Sequence, residues 1–268
     1  MPPVSRLAIG TWVLLAPALA AQQLAPPARV RYLTRVTSEE TDAKGRTAAE
    51  PEILVRTVVH GDSARADYLQ PGKAARPGDY LLTTDGGRTI LEVSPGRRRY
   101  RRLVLAEMNA RIAADAGARL TPTGWAAADS GVREGTPWMG HRTEHRTLVR
   151  QSRFTAKSLV FKVGVQLDET AEWETSAAQA AVPDPFGELA RAEANAFFVL
   201  DSAAARATRE ALAPWQGRLV LRWQSVIRSD EGGKRSTATT RLQVEALEAV
   251  EPEPGLFVLP AGYRLDDR

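Results

Sequence analysis

Along most of the chain after residue 29, apolar residues recur at every second position, the spacing of strands whose two faces meet different surroundings. Residues 30–37 put Val30, Tyr32, Thr34 and Val36 on one face, with Arg31 and Arg35 opposite. Residues 52–60 align Ile53, Val55 and Val59, and Gly61-Asp62-Ser63 turns into 64–69. Two short runs, 80–84 and 89–93, flank Asp85-Gly86-Gly87, whose residues tolerate positive φ, so the spacing predicts a hairpin. After a Pro95-Gly96 turn comes a strand at 99–104. The N-terminal half is therefore expected to be an antiparallel meander.

Residues 103–118 are alanine-rich with Met108 and Ile112 four apart, which predicts a helix. Pro122, Gly124, Gly131, Gly135 and Pro137 make 119–137 a loop or short strand. Alternation resumes over 141–151. It is cleanest over 159–167, where Leu159, Phe161, Val163, Val165 and Leu167 face one way. Asp184 as N-cap, Pro185 at the first helical position and Glu188 near the positive dipole end predict a helix to about residue 200. A second helix follows, ended by Pro214 and Gly217. The chain closes with a strand at 218–228 carrying Leu219, Leu221, Trp223 and Ile227 on one face. A turn at 230–233 leads to a strand over 237–250, where Leu247 breaks parity and predicts a β-bulge. With no repeat and no long linker, the expectation is one α+β domain over 21–268: a curved antiparallel sheet with a helical insertion at about 184–214.

Composition narrows the chemistry. The 268 residues contain no cysteine, which excludes thiol nucleophiles, disulfides, Cys-ligated zinc and iron–sulfur clusters, and only three histidines. The net charge is +4, and the basic residues are 31 arginines and 5 lysines spread along the whole chain. A nucleic-acid binder concentrates its excess charge in one patch, so nucleic acid is not an expected partner. Arg6, the apolar run Leu7–Ala20 ending in Ala18-Leu19-Ala20, and Gln22-Gln23 beyond it are the parts of a secretory signal peptide, with cleavage expected after Ala20. The run is too short to span a bilayer comfortably, and no later segment approaches that length. A periplasmic or secreted protein is expected, in contact with membranes only peripherally.

No catalytic set emerges. His141, Glu144 and His145 spell H-x-x-E-H, a zinc-peptidase pattern that needs a helix. Here the surrounding period is two, and residues four apart on a strand lie about 13 Å apart, too far to share one zinc. Gly232-Gly233-Lys234-Arg235-Ser236 lacks phosphate-loop spacing and precedes a strand. No G-x-S-x-G occurs, and Glu39-Glu40 and Asp266-Asp267 lie in polar stretches, so neither a catalytic residue, a metal nor a cofactor is expected. The dense cluster Arg97, Arg98, Arg99, Arg101 and Arg102 around Tyr100 is a surface candidate for an acidic partner or phospholipid headgroups. Trp125, Trp138, Trp173, Trp215 and Trp223 suit core or rim more than a binding box.

The C-terminal stretch from Leu242, with its acidic run and the ending "LFVLPAGY" at 256–263, resembles the end of an uncharacterised exported bacterial family grouped with LolA/LolB-like half-barrels. "EVSPGRRRY" at 92–100 and "MGHRTEHRTLV" at 139–149 agree loosely, although His141 stands where that family has an aromatic residue. The resemblance implies a curved antiparallel sheet wrapped around helices. In the lipoprotein carriers of that fold the concave face holds acyl chains, but no carrier-specific motif transfers that use to residues here.

The leading expectation is a non-enzymatic periplasmic protein that binds a hydrophobic ligand, a lipid or a lipoprotein's acyl chain. Ile53, Val55, Phe161, Val163, Val165, Leu221, Trp223 and Ile227 are the lining candidates, and each could equally be core. The alternatives are an envelope protein-interaction module with no lipid cargo, using the Arg97–Arg102 strand, and an exported metallohydrolase.

Overall fold

A computed structural model describes residues 29–73, 75–108, 110–111, 114, 120–157, 162–176, 183–187, 189, 206–207, 210, 213 and 218–266. The predicted signal segment, Phe161, and most of the predicted helices at 184–214 lie outside the described residues. In chain order the strands are β1 (Arg29–Thr41), β2 (Thr47–Ala49), β3 (Ile53–His60), β4 (Ser63–Pro71), β5 (Tyr80–Thr83), β6 (Thr89–Ser94) and β7 (Arg99–Val104). They continue with β8 (Leu120–Asp129), β9 (Arg133–Glu134), β10 (Thr143–Lys157), β11 (Lys162–Ser176), β12 (Val220–Glu231), β13 (Lys234–Ala249) and β14 (Arg264–Leu265).

All fourteen belong to one open, curved sheet. From β7 the order runs back through β6, β5, β4 and β3 to β1, then crosses to β13, β12, β11, β10 and β8. Two meanders thus meet where the first strand pairs with the last long one. Every pairing is antiparallel except the short β14 along β7. The turns behave as their residues dictate. Glu231 and Lys234 are opposite each other across Gly232-Gly233, both at positive φ (61° and 89°), the backbone a two-residue hairpin turn requires. Ser94 leads into a 3-10 turn at Pro95–Arg97, closed by Arg98 at φ 52°. Residues 105–108 are helical, as the alanine-rich pattern predicts.

Three expectations meet the structure in part. The stretch at 119–137, expected as loop or short strand, contains the ten-residue β8. Pro122 is tolerated because β8 is the last strand of the sheet, and the register shifts between Arg153 and Phe154 where Pro122 sits opposite. The bulge in β13 lies before Leu247: Leu33 pairs with Ala246 and Thr34 with Val244, which makes Glu245 the extra residue. Leu247 breaks parity because the bulge has already shifted it. The displaced Glu245 carboxylate accepts from Arg35 Nη2 at 3.0 Å, and Arg35 also meets Glu52 at 2.6 Å. These contacts, Glu245 first, raise the Arg35 guanidinium above its ordinary value. Finally, β10 begins at Thr143, so His141 precedes the strand, in a bridge with Trp138.

One face of the sheet, called inner here, receives Leu105 and the segment that enters the insertion. Leu105, Phe186 and Leu189 pack there on Val30, Tyr32, Val59, Ala64, Leu81, Ile90, Leu221 and Val244. Fully burying such aliphatic side chains stabilises by roughly 1.5–3 kcal/mol each. The segment entering the insertion is pinned at two points. Asp184 accepts from the Tyr32 hydroxyl at 3.2 Å, and burial, then the Asp184 charge, push that hydroxyl well above its ordinary pKa. The Pro185 carbonyl lies against Gly87, where a Cβ would come within 2.0 Å of its oxygen. Where β12 parts from β13, beyond Arg222 and Gln243, the Trp138 indole donates to the Val244 carbonyl at 2.9 Å. On the outer face Tyr80, Leu82 and Val93 are covered by Phe257, Leu259 and Tyr263. The "LFVLPAGY" stretch is thus a strap across the outer face of β5–β7.

Candidate functional site

Register decides which of the lining candidates can meet. Ile53, Val36, Leu242, Trp223, Trp173 and Arg146 are successive Cα partners across β3, β1, β13, β12, β11 and β10, so they share one face. Strand alternation adds Val55, Leu221, Ile227, Val165 and Val163 to that face. Seven of the eight lining candidates therefore stand on the inner face, and Phe161 lies outside the described residues. They divide into groups. Leu221 is fully buried in the main core, with Val55 packed against it. Val163, Val165 and Ile227 belong to a second cluster with Phe154 and Leu167. Ile53 and Trp223 are partly exposed.

Between these apolar groups the inner face is polar, which the sequence reading missed. Arg150 Nε donates to Glu169 Oε2 at 2.6 Å, and the Ser225 hydroxyl donates to Oε1 at 2.7 Å. All three are buried, at 4%, 2% and 3% exposure. Burial lowers the Arg150 guanidinium below its ordinary value, against the opposing pull of Glu169. Nearby, Arg146 turns its Nε and Nη2 to the Asp129 carboxylate on β8. Arg218 donates to Glu144 at 3.0 Å. The missed signal was parity. Over 146–154 the even positions are buried and Val149 is exposed, so Arg146 and Arg150 share the side of Leu148 and Phe154, and Glu169 that of Val165 and Leu167.

Among the described residues of this face, the donors Arg146 Nη1, Trp223 Nε1 and Thr175 Oγ1 are enclosed without a hydrogen-bond partner. Arg146 and Trp223 flank Trp173, the Cα partner of both. Thr175 lies two residues beyond Trp173 on β11, about 7 Å along the strand. Arg146 is 8% exposed and Thr175 fully buried. Burial lowers the Arg146 guanidinium below its ordinary value.

The zinc pattern is not assembled. Glu144 pairs with Arg218, whereas His145, on the opposite side of β10, lies 3.7 Å from Glu174 and 3.3 Å from the Thr147 hydroxyl. No group of three metal-ligating side chains occurs among the described residues. Of the arginine cluster, Arg101 pairs with Glu92 and Arg99 with Asp266. Arg97, Arg98 and Arg102 form no ion pair among the described residues. A hollow of about 230 Å³ lies there, lined by Arg97, Arg99, Arg101, Tyr100, Glu92 and Asp266 among others. Another, of about 400 Å³, is lined by Gln166, Asp168, Arg228, Asp230 and Arg235, a mixed-charge set unlike the apolar candidates. No described helix is long and apolar enough to cross a membrane.

No protein-family model and no curated protein matches the chain. Among solved structures it is similar to an uncharacterized conserved protein from Thermus thermophilus, with 11% identity over 91% of each chain and a TM-score of 0.35. At that level of likeness nothing about function transfers.

Proposed function

We propose that the protein is an exported, non-enzymatic carrier of a hydrophobic ligand, a lipid or a lipoprotein's acyl chain, held on the inner face of a half-barrel-like sheet. The carrying observation is that the seven described lining candidates share one face of an open, curved sheet. The cluster of Val163, Val165, Ile227, Phe154 and Leu167 stands apart from the main core, and two of its members are only partly buried. That is apolar surface the fold does not fully use, the kind an apolar ligand covers. Export rests on the Leu7–Ala20 segment, and the half-barrel on two meanders joined through β1 and β13, together with the resemblance of the C-terminal ending. A second reading, an envelope interaction module, is favoured by Arg97, Arg98 and Arg102, which have no ion-pair partner among the described residues.

Titrating the detergent-free protein with monoolein, followed by tryptophan fluorescence, separates the two readings. Under the carrier reading, Val165→Asp and Ile227→Asp abolish binding, because a carboxylate in the apolar cluster must be desolvated. Arg98→Glu with Arg101→Glu leaves it unchanged. Binding that survives both Asp substitutions, or a wild type that binds no monoolein, refutes the carrier; the module, which has no lipid cargo, predicts the second result.

A further inference from the structure

The polar half of the ligand is written in the unpartnered donors. Resting on the carrier reading, we infer that Arg146 Nη1, Trp223 Nε1 and Thr175 Oγ1 form a binding site for an uncharged oxygen acceptor, an acyl ester group. Buried polar groups are almost always paired, and each unpaired one costs folding free energy. Here three fall on adjacent strands of one face, around a single residue, Trp173. An acceptor group above Trp173 would satisfy them together.

Charge decides the class of that acceptor. Among the described residues the ionic groups around the donors pair with one another: Asp129 takes the Nε and Nη2 edge of Arg146, and Glu144, the Cα partner of Thr175, takes Arg218. A carboxylate or phosphate would bring an uncompensated charge into a balanced, enclosed place, at a high desolvation cost. An ester brings two lone pairs on its carbonyl oxygen, a further acceptor on its bridging oxygen, and no charge. Along β12 the second apolar cluster begins at Ile227, four residues from Trp223 and so about 13 Å away, within reach of an attached acyl chain. The Ser225, Glu169 and Arg150 side chains between them are already bonded to one another. The ligand class is thus an uncharged acyl ester with its ester group at Trp223.

Two substitutions remove a donor and leave both ion pairs intact: Thr175→Val, which keeps the shape of the side chain, and Trp223→Phe, which keeps an aromatic ring but gives up the indole's second ring. The test measures binding of monoolein and of oleate to the purified protein and to each variant, beside thermal unfolding without ligand. The expected result is that each variant binds monoolein about three- to tenfold more weakly, the worth of one lost hydrogen bond. The wild type should prefer monoolein to oleate by at least about tenfold. Thr175→Val should melt no lower than the wild type, since it deletes a buried hydroxyl without a partner. If both lipids bind alike and the variants change nothing, the ester site is refuted and the carrier reading stands. If neither lipid binds, the carrier reading falls and the site falls with it.

Discussion

Replacing Arg150 with methionine tests whether the inner face is closed in its middle. The wild-type Glu169 carboxylate receives Arg150 Nε at 2.6 Å and the Ser225 hydroxyl at 2.7 Å, at 2% exposure. Arg150→Met keeps the length of the apolar stem and leaves a buried carboxylate with one hydroxyl donor. Breaking a buried pair on one side costs about 3–5 kcal/mol. For a domain of this size each kcal/mol lowers the melting temperature by about 2–4 °C, so the variant should melt roughly 6–20 °C lower. Replacing both partners, Arg150→Met with Glu169→Leu, removes charge and counter-charge together and should recover most of the loss, to within about 1 kcal/mol. Urea unfolding of the wild type, both single variants and the double variant gives the coupling directly. A loss below about 1 kcal/mol for Arg150→Met, with additive effects in the double variant, would show that the pair is solvated. It would refute the description of the middle of this face as enclosed.

Further consequences separate the turns, the strap and the face. Gly87→Ala forces a Cβ to 2.0 Å from the Pro185 carbonyl at φ +90°, so it should cost about 2–4 kcal/mol. Gly86→Ala, whose nearest neighbour would be 3.7 Å away, should cost only the strain of positive φ, about 1–2 kcal/mol; equal losses would deny the Pro185 contact. Leu259→Ala should destabilise by about 1–2 kcal/mol while leaving monoolein affinity unchanged, because the strap lies on the outer face; a fall in affinity would place the ligand there. Asp85 is pushed up by burial, but the Thr89 and Thr83 hydrogen bonds and the Arg88 charge outweigh this and lower its pKa. A depressed carboxyl stabilises above its unfolded value of about 3.9 and loses that contribution as pH falls through the folded value. Asp85→Asn should therefore lose less stability than the wild type between pH 5 and pH 2.5 in urea titrations, and identical slopes would contradict this.

What the sequence revealed depended on whether one strand or its neighbour carried the information. Turns with glycine at positive φ, such as Gly232-Gly233, and the alternation of β3, β6 and β12 are local properties, and they were readable. The parity break at Leu247 was visible, whereas its cause at Glu245 depends on the partner residues of β1. β8 was hidden because Pro122 and Gly124 are strand breakers anywhere except at an edge. The inner-face placement of Ile53, Val55, Val163, Val165, Leu221, Trp223 and Ile227 follows from alternation once register is known. Arg150 and Glu169 escaped because each is an ordinary charged residue until β10 and β11 pair and set them opposite each other. The unpartnered donors were further still from view, since a missing hydrogen bond is a property of three strands together. The "LFVLPAGY" ending carried a resemblance, and its observed work is to cover Tyr80, Leu82 and Val93.

The most direct test of the carrier reading is lipid occupancy. Protein purified without detergent is exposed to vesicles containing monoolein, separated from them, extracted with organic solvent and quantified by mass spectrometry, beside the Ile227→Asp variant. About one neutral acyl ester per wild-type chain, and none in the variant, is the predicted result. A lipid-free wild-type extract, or equal lipid in both proteins, would contradict a ligand site on the inner face of this sheet.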